Sequence, residues 1–133
     1  MTELAPARIV IADDDADIRR LVAFTLRRRG HTVYEASDGA EAEALIREER
    51  PDLAILDVTM PERSGMEVAR AVAGDAELEA IPVVLLSAKG QQGEIEAGLA
   101  SGATAYLVKP FTPKRLAEQI GAVLAGAGPQ DEG

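Results

Sequence analysis

The stretch Leu53-Ala54-Ile55-Leu56-Asp57 is a short apolar run that ends on a carboxylate. Three other runs share its shape. Arg8-Ile9-Val10-Ile11-Ala12 leads into Asp13-Asp14, Val83-Val84-Leu85-Leu86 ends at Ser87, and Tyr106-Leu107-Val108 ends at Lys109-Pro110. Runs this short and this continuously apolar read as strands buried on both faces, the pattern of a parallel sheet. Laid side by side, the four would bring Asp13, Asp14, Asp57, Ser87 and Lys109 to one edge.

Segments of helical period lie between the runs. Strands are expected over 8–12, 32–36, 53–57, 82–87 and 104–108, and helices over 15–29, 39–49, 65–74, 91–101 and 113–125. Ile18, Leu21, Val22, Thr25 and Leu26 make one inward stripe on the first helix, as Leu116, Ile120, Val123 and Leu124 do on the last. Ser64 with Glu67 reads as a capping box, and Asp38 with Glu41 imitates one. Thr112-Pro113 puts a capping hydroxyl just ahead of a proline at the first helical position. Gly30 and Gly102 stand where helices end and a positive φ is wanted. Strands alternating with helices predict an α/β three-layer sandwich on a parallel sheet. Ligands of such sheets sit outside the carboxyl ends of the strands, where the polar residues named above fall.

Composition sets the outer bounds. A chain of 133 residues with 47% hydrophobic residues is one domain with a real core, and 3% aromatics leave Ala, Val, Leu and Ile to fill it. Lys plus Arg number 14 against 23 Asp plus Glu, a net charge of −9. Such a chain is poorly suited to neutralise nucleic-acid phosphates or to approach an anionic membrane, so direct binding to either is not expected. The absence of cysteine excludes disulfides, thiolate metal sites and Cys nucleophiles. Met1 to Pro6 lack the parts of a signal peptide, and no apolar stretch nears the roughly 18 residues of a membrane span. A cytoplasmic protein is expected, with 1–6 a disordered N-terminus, 7–125 the domain and 126–133 a flexible tail.

The edge has a chemistry of its own. Asp13 and Asp14, with Asp57 opposite, would repel one another unless a cation sat among them. All-oxygen donors select Mg²⁺ or Mn²⁺. Asp57, central in the cluster, is placed to be a nucleophile that forms an aspartyl phosphate, with Lys109 and Ser87 supplying charge and a hydrogen-bond donor. Taken singly, each of these residues is more often a cap, a loop hydroxyl or a surface charge. His31, after Gly30, reads as a solvated turn residue, and Arg27-Arg28-Arg29 as the basic end of a helix. No phosphate-cradling glycine loop occurs, so the phosphoryl group must come from a partner.

Five motifs in order resemble the receiver domain of two-component response regulators over residues 7–125. They are Ile-Ala-Asp13-Asp14-Asp15, Leu-Asp57-Val-Thr-Met-Pro61-Glu-Arg-Ser-Gly65, Leu-Leu-Ser87-Ala-Lys, Gly102-Ala-Thr-Ala-Tyr106 and Leu-Val-Lys109-Pro110-Phe. The resemblance implies a flavodoxin-like fold with strand order 2-1-3-4-5, of the stand-alone type similar to the chemotaxis response regulator. It implies that Asp57 accepts the phosphoryl group of a histidine kinase or phosphotransfer protein. Asp14 would bind Mg²⁺ directly, Asp13 mainly through water, and the Thr59 carbonyl would complete the protein ligands. Lys109, aimed by a cis Lys109-Pro110 peptide, would bridge Asp57 and the phosphoryl oxygens. Ser87 would move toward the phosphoryl group and Tyr106 would turn inward, a switch read by a downstream protein on the face of the fourth and fifth helices and the Tyr106 strand. Thr59 and Lys89, two residues past Asp57 and Ser87, are expected to tune the phosphoryl lifetime. Many receivers carry an acidic pair where this chain has Thr104-Ala105, so a monomer or a weak phosphorylation-dependent dimer is expected.

Two other functions compete. A haloacid-dehalogenase-like phosphatase would use Asp13 and Asp15 as nucleophile and acid, but it needs an acidic strand-end motif after the lysine. Only Glu118, inside the last helix, and the tail acids follow Lys109. A receiver-like scaffold that is never phosphorylated would have no use for the whole set of site residues. Autocatalysis of its own phosphorylation and dephosphorylation is expected, and no turnover of a separate substrate.

Overall fold

The computed structural model describes residues 6–88 and 92–126. Ten elements alternate strictly: β1 (Arg8–Ala12), α1 (Ala16–Arg27), β2 (Thr32–Ala36), α2 (Gly39–Glu49), β3 (Leu53–Asp57), α3 (Gly65–Ala73), β4 (Val83–Ser87), α4 (Gln92–Ala100), β5 (Ala105–Val108) and α5 (Pro113–Leu124). The strands form one parallel sheet in the order β2-β1-β3-β4-β5, the flavodoxin-like arrangement. Strands β3 and β4 are buried at every position, as their unbroken apolar runs require of strands covered on both faces.

Each strand's two-residue period divides its side chains between two cores. Val10, Ala12, Ala54, Leu56, Val83, Leu85 and Tyr106 face α2, α3 and α4. Ile9, Ile11, Leu53, Ile55, Val84, Leu86, Ala105 and Leu107 face α1 and α5. The α1 stripe centres on Val22, Ala23 and Leu26, while Ile18 packs at its margin and Leu21 and Thr25 are only half-buried. The Thr25 hydroxyl is used within the helix, donating to the Leu21 carbonyl at 2.8 Å.

Local chemistry sets the boundaries. Asp15 lies outside α1 as its N-cap, accepting from the N–H groups of Asp17 and Ile18. Ser64 and Glu67 form the expected capping box at α3, and Thr112 caps α5 ahead of Pro113. The acid of α2 acts one residue off the anticipated pattern. Asp38 accepts from the Glu41 N–H, but the Glu41 carboxylate reaches back to Ser37. Strand β4 begins at Val83, not 82, because Pro82 has no N–H to give the ladder, although its carbonyl still accepts from Ala54 at 3.0 Å.

His31 corrects the sequence reading. It is 9% exposed, and its Nδ1 accepts the Ala7 N–H at 2.9 Å. Gly30, at φ 95°, closes α1 with its N–H on the Arg27 carbonyl, and His31 donates its own to Leu26. This is the glycine-ended turn whose following residue points inward. Burial and then the Arg29 charge hold the His31 pKa below its ordinary value. A proton on Nδ1 would also remove the acceptor that Ala7 uses. Stability from His31 is therefore complete above the ordinary histidine pKa and is lost as pH falls through the lowered one. His31→Ala should cost about 1–2 kcal/mol near neutral pH and progressively less in acid. Urea unfolding of parent and variant across that range checks it, and equal stabilities at neutral pH would refute it.

Candidate functional site

Strand parity explains which side chains meet. Asp13 follows Ala12, and Lys109 follows Val108, so both continue the parity that faces α1 and α5. Asp57 shares that parity with Leu53 and Ile55, and its register partner on β4 is Leu86. The three converge accordingly. Lys109 Nζ donates to Asp13 Oδ2 at 2.9 Å and to Asp57 Oδ1 at 3.1 Å. Asp13 is fully buried, Asp57 is 7% exposed and Asp14 is exposed. The peptide before Pro110 is cis, as expected.

The backbone holds these positions firmly. Asp13 donates its N–H to Ala36, Val58 to Leu86 and Lys109 to Ser87, so the sheet pattern runs past the formal strand ends. The Asp13 carboxylate accepts from the Asp15 N–H at 2.9 Å, and Arg19 donates to the Asp13 carbonyl at 2.9 Å. Gly65 seals the turn after β3, since a Cβ there would press into the Asp57 carbonyl. Its N–H donates to the Val58 carbonyl at 2.9 Å.

One ammonium serves two buried carboxylates, and the electrostatics reflect the shortage. Burial, followed by the Asp13 charge, pushes the Asp57 carboxyl up to about 6 even though Lys109 pulls the other way. Burial disfavours the Lys109 ammonium, but its bonds to Asp13 and Asp57 outweigh that and hold its pKa above the ordinary value. Carboxylate oxygens of Asp13, Asp14 and Asp57 all lie within 4.8 Å of one another, a donor set able to hold a metal ion. The set is all oxygen and short of positive charge, which fits a hard divalent cation.

The remaining expected residues take distinct places. Ser87 is 6% exposed at the end of β4 and belongs to the opposite parity, with Leu85, Tyr106 and Val108. Tyr106 is 1% exposed and lies inward beneath α4. Thr59 is exposed, two residues beyond Asp57. Lys89 lies outside the described residues, as do residues 1–5 of the expected N-terminal segment and 127–133 of the tail. The Asp15 carboxylate is spent on capping α1, which removes the acid that the phosphatase alternative requires. Sequence reasoning missed Gly98, whose bare Cα meets the Tyr106 ring; glycine inside a helix pattern was its only sign.

The response regulator receiver domain family matches this chain over residues 9–121. The chain belongs to that family. It is 38% identical to Protein PilH of Pseudomonas aeruginosa over 120 residues, 90% of this chain and 99% of PilH. It is 40% identical over 123 residues to the phosphate regulon transcriptional regulatory protein PhoB of the same organism, covering 92% of this chain but 54% of PhoB. The chain thus spans about half the length of that relative, and 45% of a Guillardia theta transcriptional regulator that it also matches. Among solved structures, the chemotaxis response regulator CheY4 of Vibrio cholerae superposes with a TM-score of 0.85 at 35% identity, covering 90% of this chain and 99% of that one. This receiver is therefore a two-component signalling domain, and its family works with histidine kinases or phosphotransfer proteins. No described helix is long and apolar enough to cross a membrane.

Proposed function

We propose that this receiver is a phosphorylation-driven switch whose acceptor is Asp57. The observation that carries the reading is the shared bond of Lys109 to Asp13 and Asp57 at the carboxyl edge of the sheet. With its pKa near 6, Asp57 is mainly ionised at neutral pH and ready to act as a nucleophile. One Asp57 oxygen attacks the phosphorus of a phosphohistidine, the P–N bond breaks, and the electron pair leaves with the imidazole nitrogen. Asp13, Asp14, Asp57 and the Thr59 carbonyl would hold Mg²⁺, which would supply the positive charge that lets anions approach one another. Lys109 stays against the new phosphoryl oxygens, and the Ser87 hydroxyl donates to them. The aspartyl phosphate is the receiver's own transient state, and no separate substrate is turned over.

Ser87 and Tyr106 give the state a route outward. They share one sheet face, with Leu85 the register partner of Tyr106. Movement of Ser87 toward the phosphoryl group holds Tyr106 in the inward seat it already occupies and reshapes the α4, β5 and α5 face on which a downstream protein binds. Beryllofluoride with Mg²⁺ tests this reading. The parent should give a saturable adduct and shifts in the backbone amide resonances of β5 and α4, and Asp57→Ala should give neither. Shifts that persist in Asp57→Ala would place the response elsewhere.

The phosphoryl lifetime should depend on Thr59, which is exposed two residues past Asp57 and borders the path of the hydrolytic water. Thr59→Lys or Thr59→Glu should change the dephosphorylation rate by roughly tenfold, a barrier change of about 1.4 kcal/mol. Loss of label from the phosphorylated protein measures it. Rates equal to the parent's would remove Thr59 from this role.

A further inference from the structure

The ring of Tyr106 and the backbone of α4 fit together only because residue 98 has no side chain. A Cβ at Gly98 would stand 2.7 Å from Tyr106 Cδ2, 2.8 Å from Cε2 and 3.2 Å from Leu85 Cδ1. Carbon atoms in contact prefer about 3.5–4.0 Å, so the two ring distances are true collisions. The ring is a rigid plate and has no flexible end that could yield. Its root on β5 is fixed by pairing with Leu85, and Leu85 is itself fully buried.

Helix α4 makes the glycine costly enough to need a reason. It has nine residues, two of them glycine, and its described buried positions are only Ile95 and Gly98. Glycine weakens a helix interior, and alanine at either position would be the better helix former. At Gly93 nothing lies within 4 Å of an added Cβ, so that glycine is spatially free. Gly98 has lost the same helical advantage, and there the space is filled by the tyrosine.

We infer that Gly98 is a positioning residue for Tyr106: its bare Cα is the seat that lets the ring lie inward under α4. The inference rests on the reading of Tyr106, held inward, as the side chain through which the switch reaches the α4 face. A side chain at 98 denies the ring its seat and drives it outward, whatever happens at Asp57. Gly98 touches none of the groups proposed to react, and it acts through Tyr106 alone.

The pair Gly98→Ala and Gly93→Ala tests this, because both make the same change in the same helix. Tyr34→Phe leaves Tyr106 as the sole tyrosine of the chain, so its fluorescence reports one ring. Acrylamide should quench Tyr106 weakly in that background and in its Gly93→Ala variant, and severalfold more strongly in Gly98→Ala. With beryllofluoride and Mg²⁺, fluorine resonances of the bound adduct should appear in all three proteins, while the Gly98→Ala ring stays open to quencher. A Gly98→Ala ring as shielded as that of Gly93→Ala overturns the proposal. Should Gly98→Ala fail to fold, Gly98→Ala with Tyr106→Leu should restore folding, and failure to restore it would equally overturn the proposal. Absence of an adduct in the Tyr34→Phe parent would count against the phosphoryl reading, while the quenching comparison would still decide the role of Gly98.

Discussion

Lys109→Met should destabilise the metal-free protein by about 3 kcal/mol above the Asp57 pKa, because it leaves buried carboxylates without their cation. Asp13 is fully buried, and its Oδ2 accepts from Lys109 at 2.9 Å. Asp57, 7% exposed, shares the same ammonium at 3.1 Å. Without it, each carboxylate must either take up a proton or remain charged beside the other. The loss should therefore shrink as pH falls and protons replace the missing charge. Mg²⁺ should restore much of the stability, since it supplies the same countercharge to the same oxygens. Lys109→Met should also bind Mg²⁺ more tightly than the parent, because the ammonium competes for those carboxylates. Urea unfolding with EDTA and with Mg²⁺ at two pH values reads all of this. Equal loss with and without Mg²⁺ would mean that Lys109 matters only through the packing of its stem.

Asp57→Asn should have the opposite sign, stabilising the metal-free protein by about 2 kcal/mol near pH 8. Folding raises the Asp57 pKa from 3.8 to about 6, so the folded state binds a proton more readily than the unfolded chain across that interval. The stability of the parent is therefore highest below the lower value, falls as pH rises through about 6, and then levels off. Asparagine has nearly the same shape and no proton to lose. Its advantage should be absent in acid, grow through that interval and be complete above it. Chemical unfolding at several pH values in EDTA checks the prediction. A functional site that stores destabilisation of this kind gains stability on binding its cation, which is the expected sense of the coupling.

Much of the fold was legible in the chain because buried parallel strands leave a strong signature. Val83 to Leu86 and Leu53 to Leu56 carry no polar residue, and a two-sided interior is the setting that tolerates them. Strand order was not legible in periodicity, which says nothing of neighbours; it followed from the family resemblance and agrees with the sheet. The acidic cluster and Lys109 were legible because each stands at the end of a strand or within two residues past it. How the lysine divides itself was not, since that depends on distances between β1, β3 and β5. His31 was misread because turns after glycine are usually wet. Its burial and the contact of its ring with the Ala7 N–H, across 24 positions of sequence, show otherwise. Gly98 escaped for a related reason: a missing side chain has meaning only against the ring that fills its place.

The most direct measurement is the intact mass of the protein after incubation with acetyl phosphate and Mg²⁺. The parent should gain the mass of one phosphoryl group, lose it again with time, and show no gain in EDTA. Asp57→Asn should gain none, whereas Asp15→Asn, which alters only the cap of α1, should still be labelled. Labelling that survives in Asp57→Asn, or labelling of the parent that ignores Mg²⁺, would contradict the assignment of Asp57 as a metal-dependent phosphoacceptor.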